Sequence, residues 1–514
     1  MTDPSHQFDV IIIGYGPVGA TAALLLRQRG LSVAVIDRLT EPFPLPRAAI
    51  LDGEVARLLQ NLGIKDAMGE DLQQLRGGGF RTAELQPIGP DLVYPEGALG
   101  SQGHFDSHSF HQPTFERVLR NRAVAQGVCT YLGYEAALPV QDADAVSVAA
   151  TPSAGGEPVI LSGRWLIAAD GAASPVREGL GIDWGSLGYD RDWLVLDLIL
   201  TDPALQLPEI GLQVCDPERI HTYVPMAAKR RRWEIIFNPG DTREEMLDPA
   251  RQWQLLSRYL TPDQAVIERA AAYQFHSAIA AQWQVGRIFL AGDAAHQTAP
   301  FLGQGLCTGL RDVANLAWKF DFVKRGLLPE SALASYQIER QPHARDTVDH
   351  AVAIGKLMDA LAQAQIDGKW PTDLSALYGG SRTREHLSGG ILASPIGDEA
   401  NNLVGTLAPQ PQVHDRGDIR LLDDAIGTGF RLLSAAPLDL HASQRFAFAA
   451  LGGLICELPA DRRASPQLDA MLGQYEAVLV RPDHYVFGVS TPQRSPEALL
   501  NELLAHFLEP IHGA

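Results

Sequence analysis

This sequence has few cysteines, and none of them has the spacing that a zinc site or a disulfide framework requires. Four occur among 514 residues, Cys129, Cys215, Cys307 and Cys456, and no two form a CxxC pair. The spacing argues against structural zinc, and reduced thiols are typical of the cytoplasm. We therefore expect no metal site and a cytoplasmic location.

Positive charge is also scarce, since 42 Lys and Arg face 61 Asp and Glu and the net charge is -19 at pH 7. A nucleic-acid partner would need clustered basic residues, and an anionic membrane would repel this chain. The one basic cluster, residues 229–232, predicts a solvated hairpin turn, with cofactor steering as the alternative.

Long apolar runs and targeting signals are missing as well. The start MTDPSHQFDVIIIG has no basic region before a cleavable apolar run, and the run at Ile11 is too short to span a bilayer. With 46% apolar and 20% charged residues, the composition is that of a soluble globular protein. The length predicts two or three domains.

The clearest pattern is FDVIIIGYGPVGATAALLLRQRGLSVAVIDR near the amino terminus. Residues 8–13 read as a strand buried on both faces, residues 21–29 as a helix and residues 31–36 as a second strand. Gly14, Gly16 and Gly19 form G-x-G-x-x-G, which permits a tight turn, the approach of a pyrophosphate and helix–strand packing. Asp37 stands where a carboxylate binds an adenosine ribose. The segment predicts dinucleotide binding without separating NAD from FAD.

Two later segments each place an aspartate after a predicted strand. In RWLIAADGAASPVREGLGI, residues 165–169 read as a strand that precedes Asp170 and Gly171. Helix capping near Ser174 is the alternative role of that turn. In GRIFLAGDAAHQTAPFLGQG, a strand over 286–290 precedes Gly292 and Asp293, and a helix is predicted over 306–320. Ligands of α/β sheets bind at the carboxyl ends of strands, so both aspartates are candidate ligand contacts.

Together these segments resemble those of the class A flavoprotein aromatic hydroxylases, the p-hydroxybenzoate hydroxylase-like family. GYGPVG resembles the pyrophosphate loop, ADGAASPVR the DG motif and AGDAAHQTAPFLGQG the GD motif, in the same order along the chain. PRAAILDGEVARLLQNLGI, HQPTFERVL and VLVRPDHYVFG extend the resemblance over most of the chain. The subgroup it most resembles contains 3-(3-hydroxyphenyl)propionate hydroxylase and related phenol hydroxylases.

The resemblance implies an α/β fold, with a Rossmann-like FAD-binding domain interleaved with an antiparallel-sheet substrate domain. The FAD-binding domain would comprise residues 1–75, 101–185 and 282–391, and the substrate domain residues 76–100 and 186–281. Residues 397–514 would form a thioredoxin-like C-terminal domain without CxxC, either structural or an assembly surface. A homodimer is left open.

The resemblance also implies which residues contact FAD. They are Gly14, Gly16, Pro17, Val18, Gly19, Asp37, Arg38, Arg47, Ala48, Gln112, Asp170, Gly171, Gly292, Asp293, Pro300, Gly303, Gln304, Gly305 and Leu306. Asp293 would bind the ribityl chain, residues 300–306 would flank the isoalloxazine, and Asp170 would serve both FAD and NAD(P)H. His296 would support the loop.

In that family NADH or NADPH reduces FAD, and O2 then forms a flavin hydroperoxide that hydroxylates a phenol ortho or para to its oxygen. We expect such an FAD-dependent aromatic monooxygenase acting on a small phenol, a reaction of aromatic compound catabolism. The reaction also needs a group that draws the proton from the phenol.

The candidates for that group are polar residues near the expected flavin and substrate. Asp52 stands near the place where some relatives carry a His after the triplet Pro46–Arg47–Ala48, and that His is absent here. The further candidates are His104, Asp106, His108 and His111 before Gln112, and His221 and Tyr223 on a predicted substrate strand. Of the last two we favour Tyr223, because a hydroxyl both donates and accepts.

Two alternatives remain open at this point. A flavin-dependent halogenase of the same fold would carry a W-x-W-x-I-P segment, and no Trp of this chain stands in one. A flavin- or NAD-binding module without turnover would have no need of Gly303 and Gly305 beneath a reactive ring.

Overall fold

The parallel sheet expected from the amino-terminal segment is present. The structure is a computed structural model that describes residues 6–44, 47–370, 386–395 and 403–507. Pro46, and residue 397 where the C-terminal domain was expected to begin, lie outside the described residues. Strand Gln7–Ile13 lies between Val33–Asp37 and Val159–Ala168 and runs parallel to both. Ile288–Leu290 runs parallel to the end of Val159–Ala168. The strands that precede the three motifs therefore end at one edge of one sheet.

This first sheet has nine strands in the described ranges. They are Gln7–Ile13, Val33–Asp37, Cys129–Leu132, Tyr134–Ala136, Val140–Gln141, Val146–Pro152, Val159–Ala168, Gln284–Val285 and Ile288–Leu290. The continuous apolar run of the first strand is fully buried at Val10, Ile11 and Ile12 because helices cover the sheet.

Two helices matter most for the site. Helix Pro17–Gln28 begins earlier than the predicted residue 21, because proline suits the first helical position. Helix Gly305–Lys324 packs against it and extends past the predicted end at residue 320. The other α-helices of the described ranges are Gly53–Asn61, Gln112–Ala125, Pro175–Gly179, Arg243–Leu247, Pro249–Leu256, Ser335–Asp367, Leu422–Ile426, Ala442–Ala450, Pro466–Gln474 and Pro496–Leu504. Among them no stretch has the length and hydropathy needed to cross a membrane.

The described residues also form a second, eight-stranded sheet. Its strands, in spatial order, are His296–Gln297, Ala265–Ala280, Trp184–Leu200, Arg230–Ile236, His221–Pro225, Gly211–Val214, Gly77–Arg81 and Leu92–Val93. All neighbouring pairs are antiparallel except Gly77–Arg81 with Gly211–Val214. One face packs on Met246, Leu256 and Leu260, and the other faces a cavity.

The smaller sheets complete the fold. Ile50–Asp52, Ser107–Phe110 and Leu72–Gln74 form a separate three-stranded sheet, with Ser107–Phe110 in the middle. Near the carboxyl terminus, Leu454–Glu457, Arg431–Ser434, Ala477–Val480 and Val486–Val489 form a four-stranded sheet in that spatial order, and Gln412–Asp415 pairs with Asp418–Leu421. The tail YEAVLVRPDHYVFGVS is therefore the strand, turn and strand that its pattern predicts.

Candidate flavin and substrate site

The residues of all three motifs border one cavity of about 1770 Å³. Of the predicted cofactor contacts, all except Gly19 and Gly292 lie in its wall. Those two glycines serve packing between the motifs. A β-carbon on Gly19 would stand 1.9 Å from the carbonyl oxygen of Gly14, and one on Gly292 would stand 2.9 Å from Cγ2 of Val18. The first glycine loop and the GD segment therefore touch each other.

The first glycine loop has the shape that a pyrophosphate needs. Gly14 has a φ of 98°, and a β-carbon there would lie 2.2 Å from the carbonyl oxygen of Ala169. A β-carbon on Gly16, in contrast, would meet no atom within 4 Å. The backbone of Gly16 thus borders open space directly before the amino terminus of helix Pro17–Gln28, where free N–H groups favour an anion. Asp37 accepts hydrogen bonds from the N–H groups of Tyr15 at 2.5 Å and Leu39 at 2.7 Å.

Asp170 caps a helix and also borders the cavity. Its Oδ2 accepts from the N–H of Val176 at 3.2 Å in helix Pro175–Gly179, whose N-cap is Ser174. Its Oδ1 is buried without a hydrogen-bond partner, and the residue borders the cavity. Burial raises the pKa of Asp170, against opposing hydrogen bonds from Ser174 and Val176. An unpartnered buried acceptor at a cavity wall fits a ligand that donates a hydrogen bond there.

The GD segment brings a carboxylate and a glycine-rich turn to the same wall. Asp293 borders the cavity, and its side chain is exposed there. Desolvation by the neighbouring protein raises the pKa of Asp293, and His296 and Arg47 oppose the rise. Gly303 has a left-handed φ of 63° and lies against Ile50. Nε2 of His296 donates to Oδ2 of Asp312 at 2.8 Å and the ring stacks on Trp283, which agrees with a supporting role.

The segment at Arg47 and Ala48 is held from two sides. Oε1 of Gln112 accepts from the N–H groups of Arg47 at 2.8 Å and Ala48 at 2.7 Å. The carbonyl oxygen of Arg47 accepts from Nη1 of Arg232 at 2.6 Å. Gln112 therefore positions this segment through its backbone.

Sequence reasoning missed a row of polar side chains on the second sheet, which we call the polar floor and define as Gln213, Thr222 and Glu234. The strand register places Thr222 directly between the other two on the face turned to the cavity. Thr222 donates to Oε1 of Gln213 at 2.6 Å. Glu234 lies 3.6 Å from Arg232 and is buried, which raises its pKa although Arg232 opposes the rise. Alternation along residues 221–236 is the signal that could have found the floor.

Beside the polar floor lies a buried ionic cluster of Asp197, Arg232 and Arg269. Asp197 accepts from Nε of Arg232 at 2.6 Å and from Nη1 of Arg269 at 3.1 Å. This corrects the solvated-turn prediction for residues 229–232, because Arg232 is fully buried although the chain does turn at residues 226–229. Every second side chain of a strand faces inward, so one member of a basic cluster is buried.

His221 and Tyr223 are not placed as expected of the proton-accepting group. His221 lies away from the cavity and binds the hydroxyl of Tyr259 at 2.5 Å. Tyr223 borders the cavity, but its hydroxyl donates to the carbonyl oxygen of Pro208 at 2.8 Å and its ring packs on Trp233. Burial raises the pKa of Tyr223 to about 12. Both side chains belong to the face opposite that of Thr222, because neighbours along a strand alternate.

The candidates that precede Gln112 lie in different parts of the structure. Asp106 borders the cavity, whereas His104 lies in a separate cleft and bonds to Gln60 at 2.7 Å. Burial, with Lys65 next, lowers the pKa of His104 to about 4. Asp52 borders the cavity, but it caps helix Gly53–Asn61 at Val55. It is also ion-paired with Arg311, so both of its oxygens serve structural contacts. His108 is buried in the same cleft as His104, and His111 bonds to Thr114.

Comparisons with known proteins follow the same division of the chain. The profile of the family described as FAD binding domain matches residues 7–351, and that of the HcaD C-terminal domain matches residues 405–506. A probable NADH-specific resorcinol 4-hydroxylase of Rhodococcus jostii (strain RHA1) is 33% identical over 97% of this chain and 94% of its own. The 3-(3-hydroxy-phenyl)propionate/3-hydroxycinnamic acid hydroxylase of Escherichia coli (strain K12) is 30% identical over 95% and 93%.

Solved structures show the same fold. Aklavinone-11 hydroxylase in complex with FAD and aklavinone superposes with a TM-score of 0.81 at 23% identity, over 98% of this chain and 100% of the other. The anhydrotetracycline hydroxylase OxyS of Streptomyces rimosus gives 0.76 at 25% identity, over 98% and 99%.

Proposed function

We propose that this chain, which belongs to the FAD binding domain family, hydroxylates a small uncharged phenol with NADH and O2. Within that family it is one of the FAD-dependent aromatic hydroxylases. One oxygen atom of O2 enters a C–H bond of the ring. The other leaves as water with the hydride of NADH and a proton. The observation that carries the proposal is the single cavity in which the flavin motifs and the polar floor face each other.

The residues present fit FAD. The open space at Gly16 suits the pyrophosphate, the unpartnered Oδ1 of Asp170 suits a donor, and Asp293 suits the ribityl hydroxyls. The turn at residues 300–306 would lie beside the ring system, where the amino terminus of helix Gly305–Lys324 favours negative charge. When bound there, FAD supplies hydride acceptance from NADH and activation of O2.

The polar floor supports a role in binding the phenol hydroxyl. We assign the proton-accepting role to Glu234 in place of His221 and Tyr223. Its carboxylate borders the cavity, and Arg232 beside it would stabilise negative charge that develops on the phenol oxygen. Burial raises its pKa toward the range in which a carboxylate is an effective base. Thr222 and Gln213 would align the ring beside it.

The charges of the polar floor and of the adjacent ionic cluster support an uncharged substrate. Arg232 and Arg269 are both ion-paired with Asp197, and Glu234 balances the remaining positive charge. A substrate carboxylate would therefore find no excess cation here. A phenol or dihydroxybenzene would need acceptors, which Glu234 and Gln213 supply.

The remaining proposals concern organisation. The interleaved FAD-binding and substrate domains are supported by the strand memberships of the two large sheets. A thioredoxin-like C-terminal domain is supported by its four-stranded mixed sheet with flanking helices. A cytoplasmic protein without nucleic-acid or membrane partners is supported by four free cysteines and the net charge of -19. Whether the protein forms a homodimer can be decided by measuring its mass in solution by analytical ultracentrifugation.

A substrate panel tests the proposed function. Purified holoenzyme would be given NADH or NADPH with resorcinol, phenol, 3-(3-hydroxyphenyl)propionate and benzoate, while reductant loss, O2 uptake and products are measured together. We expect NADH oxidation, O2 uptake and hydroxylated product in equal amounts with an uncharged phenol. NADH oxidation that no phenol stimulates, or a product without added oxygen, would contradict the proposal.

A further inference from the structure

The turn between strands Ala477–Val480 and Val486–Val489 reaches out of the C-terminal sheet into the helices beside the flavin motifs. We call it the RPDHY turn and define it as residues 481–485. Arg481 donates to Glu339 at 2.7 Å, and Asp483 accepts from Asn315 at 3.1 Å. Both partners belong to helices Ser335–Asp367 and Gly305–Lys324. This turn lies in a segment whose sequence resembles the hydroxylase family, yet nothing in the proposed reaction uses it.

Tyr485 is the residue of the RPDHY turn that borders the cavity. It is 3% exposed, it borders the cavity, and its hydroxyl donates to Oε1 of Glu54 at 3.1 Å. The other carboxylate oxygen of Glu54 accepts from Nε of Arg311 at 2.6 Å. Nη1 of Arg311 in turn donates to Oε1 of Gln304 at 3.0 Å. We call residues 300–306 the flavin-facing turn. Three hydrogen bonds thus connect the C-terminal domain to Gln304 of this turn.

A second set of contacts leads from the same tyrosine to the other end of the GD segment. The ring of Tyr485 packs edge-to-face on His343, with centroids 6.0 Å apart. His343 contacts Arg340, whose Nε donates to Oδ1 of Asp312 at 3.1 Å. Oδ2 of Asp312 accepts from the N–H of Gly292 at 3.1 Å. Two series of contacts therefore lead from Tyr485, each through intervening side chains, to Gly292 and to Gln304 on either side of Asp293.

We propose that the RPDHY turn positions the flavin-facing turn, with Tyr485 acting through Glu54 and Arg311 on Gln304. Tyr485 is a positioning residue here, since it acts on the flavin through other side chains. Arg311 has a planar, forked set of donors that contacts Glu54, Gln304 and Asp52 at once, so a shift of Glu54 moves Gln304. The tail would then tune the flavin environment and would be more than an assembly surface.

The proposal rests on the proposed function through FAD binding alone. Its readouts are therefore properties of the bound flavin that need neither the phenol nor turnover. These are the visible circular dichroism of the flavin, its midpoint potential and its rate of release.

The test compares Tyr485→Phe with Tyr475→Phe in the full-length holoenzyme. Tyr475 is a matched control because it is buried in the same domain and its hydroxyl has no hydrogen-bond partner. We expect both variants to fold and bind FAD. Only Tyr485→Phe should change the flavin dichroism and potential and release FAD faster, by about fivefold if one net hydrogen bond is lost.

A second variant, Arg311→Lys, breaks the forked contact at the centre of the connection. In that background Tyr485→Phe should have little further effect on the flavin signals, because both changes interrupt the same connection. Flavin signals of Tyr485→Phe that coincide with those of Tyr475→Phe would overturn the proposal. Additive effects in the double variant would also overturn it. An inactive phenol panel with altered flavin signals would contradict the proposed function and leave this inference supported.

Discussion

Arg57 forms a bidentate ion pair with Asp423, although 366 positions separate them along the chain. Nε and Nη2 of Arg57 each donate to one carboxylate oxygen at 2.7 Å, and both side chains are buried. Burial alone would raise the pKa of Asp423, but Arg57, His484 and Arg431 hold it well below the usual range. The pair therefore joins the flavin-binding part of the chain to the C-terminal domain in a desolvated interface.

Asp423→Asn should destabilise the protein by about 3–5 kcal/mol, because it leaves Arg57 buried without its counter-charge. The free energy of unfolding in denaturant, followed by circular dichroism, measures the loss. The control is Asp424→Asn, next in the chain but exposed, where the change should be small. Equal losses in both variants would mean that the interface does not depend on the buried pair.

Gly16→Val should abolish FAD binding and leave the apoprotein folded. A β-carbon at this position would meet no protein atom within 4 Å, so we expect the added side chain to collide with the ligand and not with the fold. Gly14→Ala is the contrasting variant. Its β-carbon would lie 2.2 Å from a backbone oxygen, so it should damage folding itself. The flavin absorbance and thermal unfolding of each variant separate the two cases, and a yellow Gly16→Val protein would show that the pyrophosphate lies elsewhere.

The sequence predicted the parts of this site that depend on backbone conformation. Only glycine fits at a position such as Gly14, where another backbone segment lies too close for a side chain. The loop could therefore be recognised from the G-x-G-x-x-G pattern alone. The strands before Asp170 and Asp293 were also recognisable, because buried parallel strands are continuously apolar.

The face of the substrate strands could not be predicted equally well. A shift of one residue moves every side chain to the other face, and the run around His221 offers polar residues on both. The register of the neighbouring strands decides that Thr222 and Glu234 face the cavity. The contacts of Asp52 with Arg311 and of Tyr485 with Glu54 could not be predicted from the sequence either, because each joins segments that lie hundreds of residues apart.

Asp170→Ala should slow flavin reduction by NADH more than it weakens phenol binding. Asp170 borders the cavity and its buried Oδ1 has no hydrogen-bond partner, so the loss of the carboxylate should change the site and not only the helix cap. Ser174→Ala is the control, because it removes the other cap of the same helix from a fully buried position. Stopped-flow reduction rates compare the two, and equal rates would assign Asp170 to capping alone.

Glu234→Gln tests the group that accepts the phenol proton. A carboxylate must be ionised to accept a proton, so kcat/KM of the wild type should rise with pH as Glu234 loses its own proton. Burial raises the pKa of Glu234, and the rise should therefore lie above the ordinary value of about 4.3. The amide cannot ionise, so the variant should lose this acid limb and about a hundredfold of kcat.

The matched control is Glu268→Gln on the same sheet, since Glu268 is exposed and pairs with Arg230 at 3.1 Å outside the cavity. It should keep both the limb and the rate. FAD content should be unchanged in both variants, because Glu234 belongs to the second sheet and not to the flavin motifs. Because a more acidic phenol needs less help to ionise, the deficit of Glu234→Gln should shrink as the pKa of the substrate falls. A deficit that stays constant across such a series would indicate that Glu234 only orients the ring, and a variant with the wild-type acid limb would remove it from the reaction.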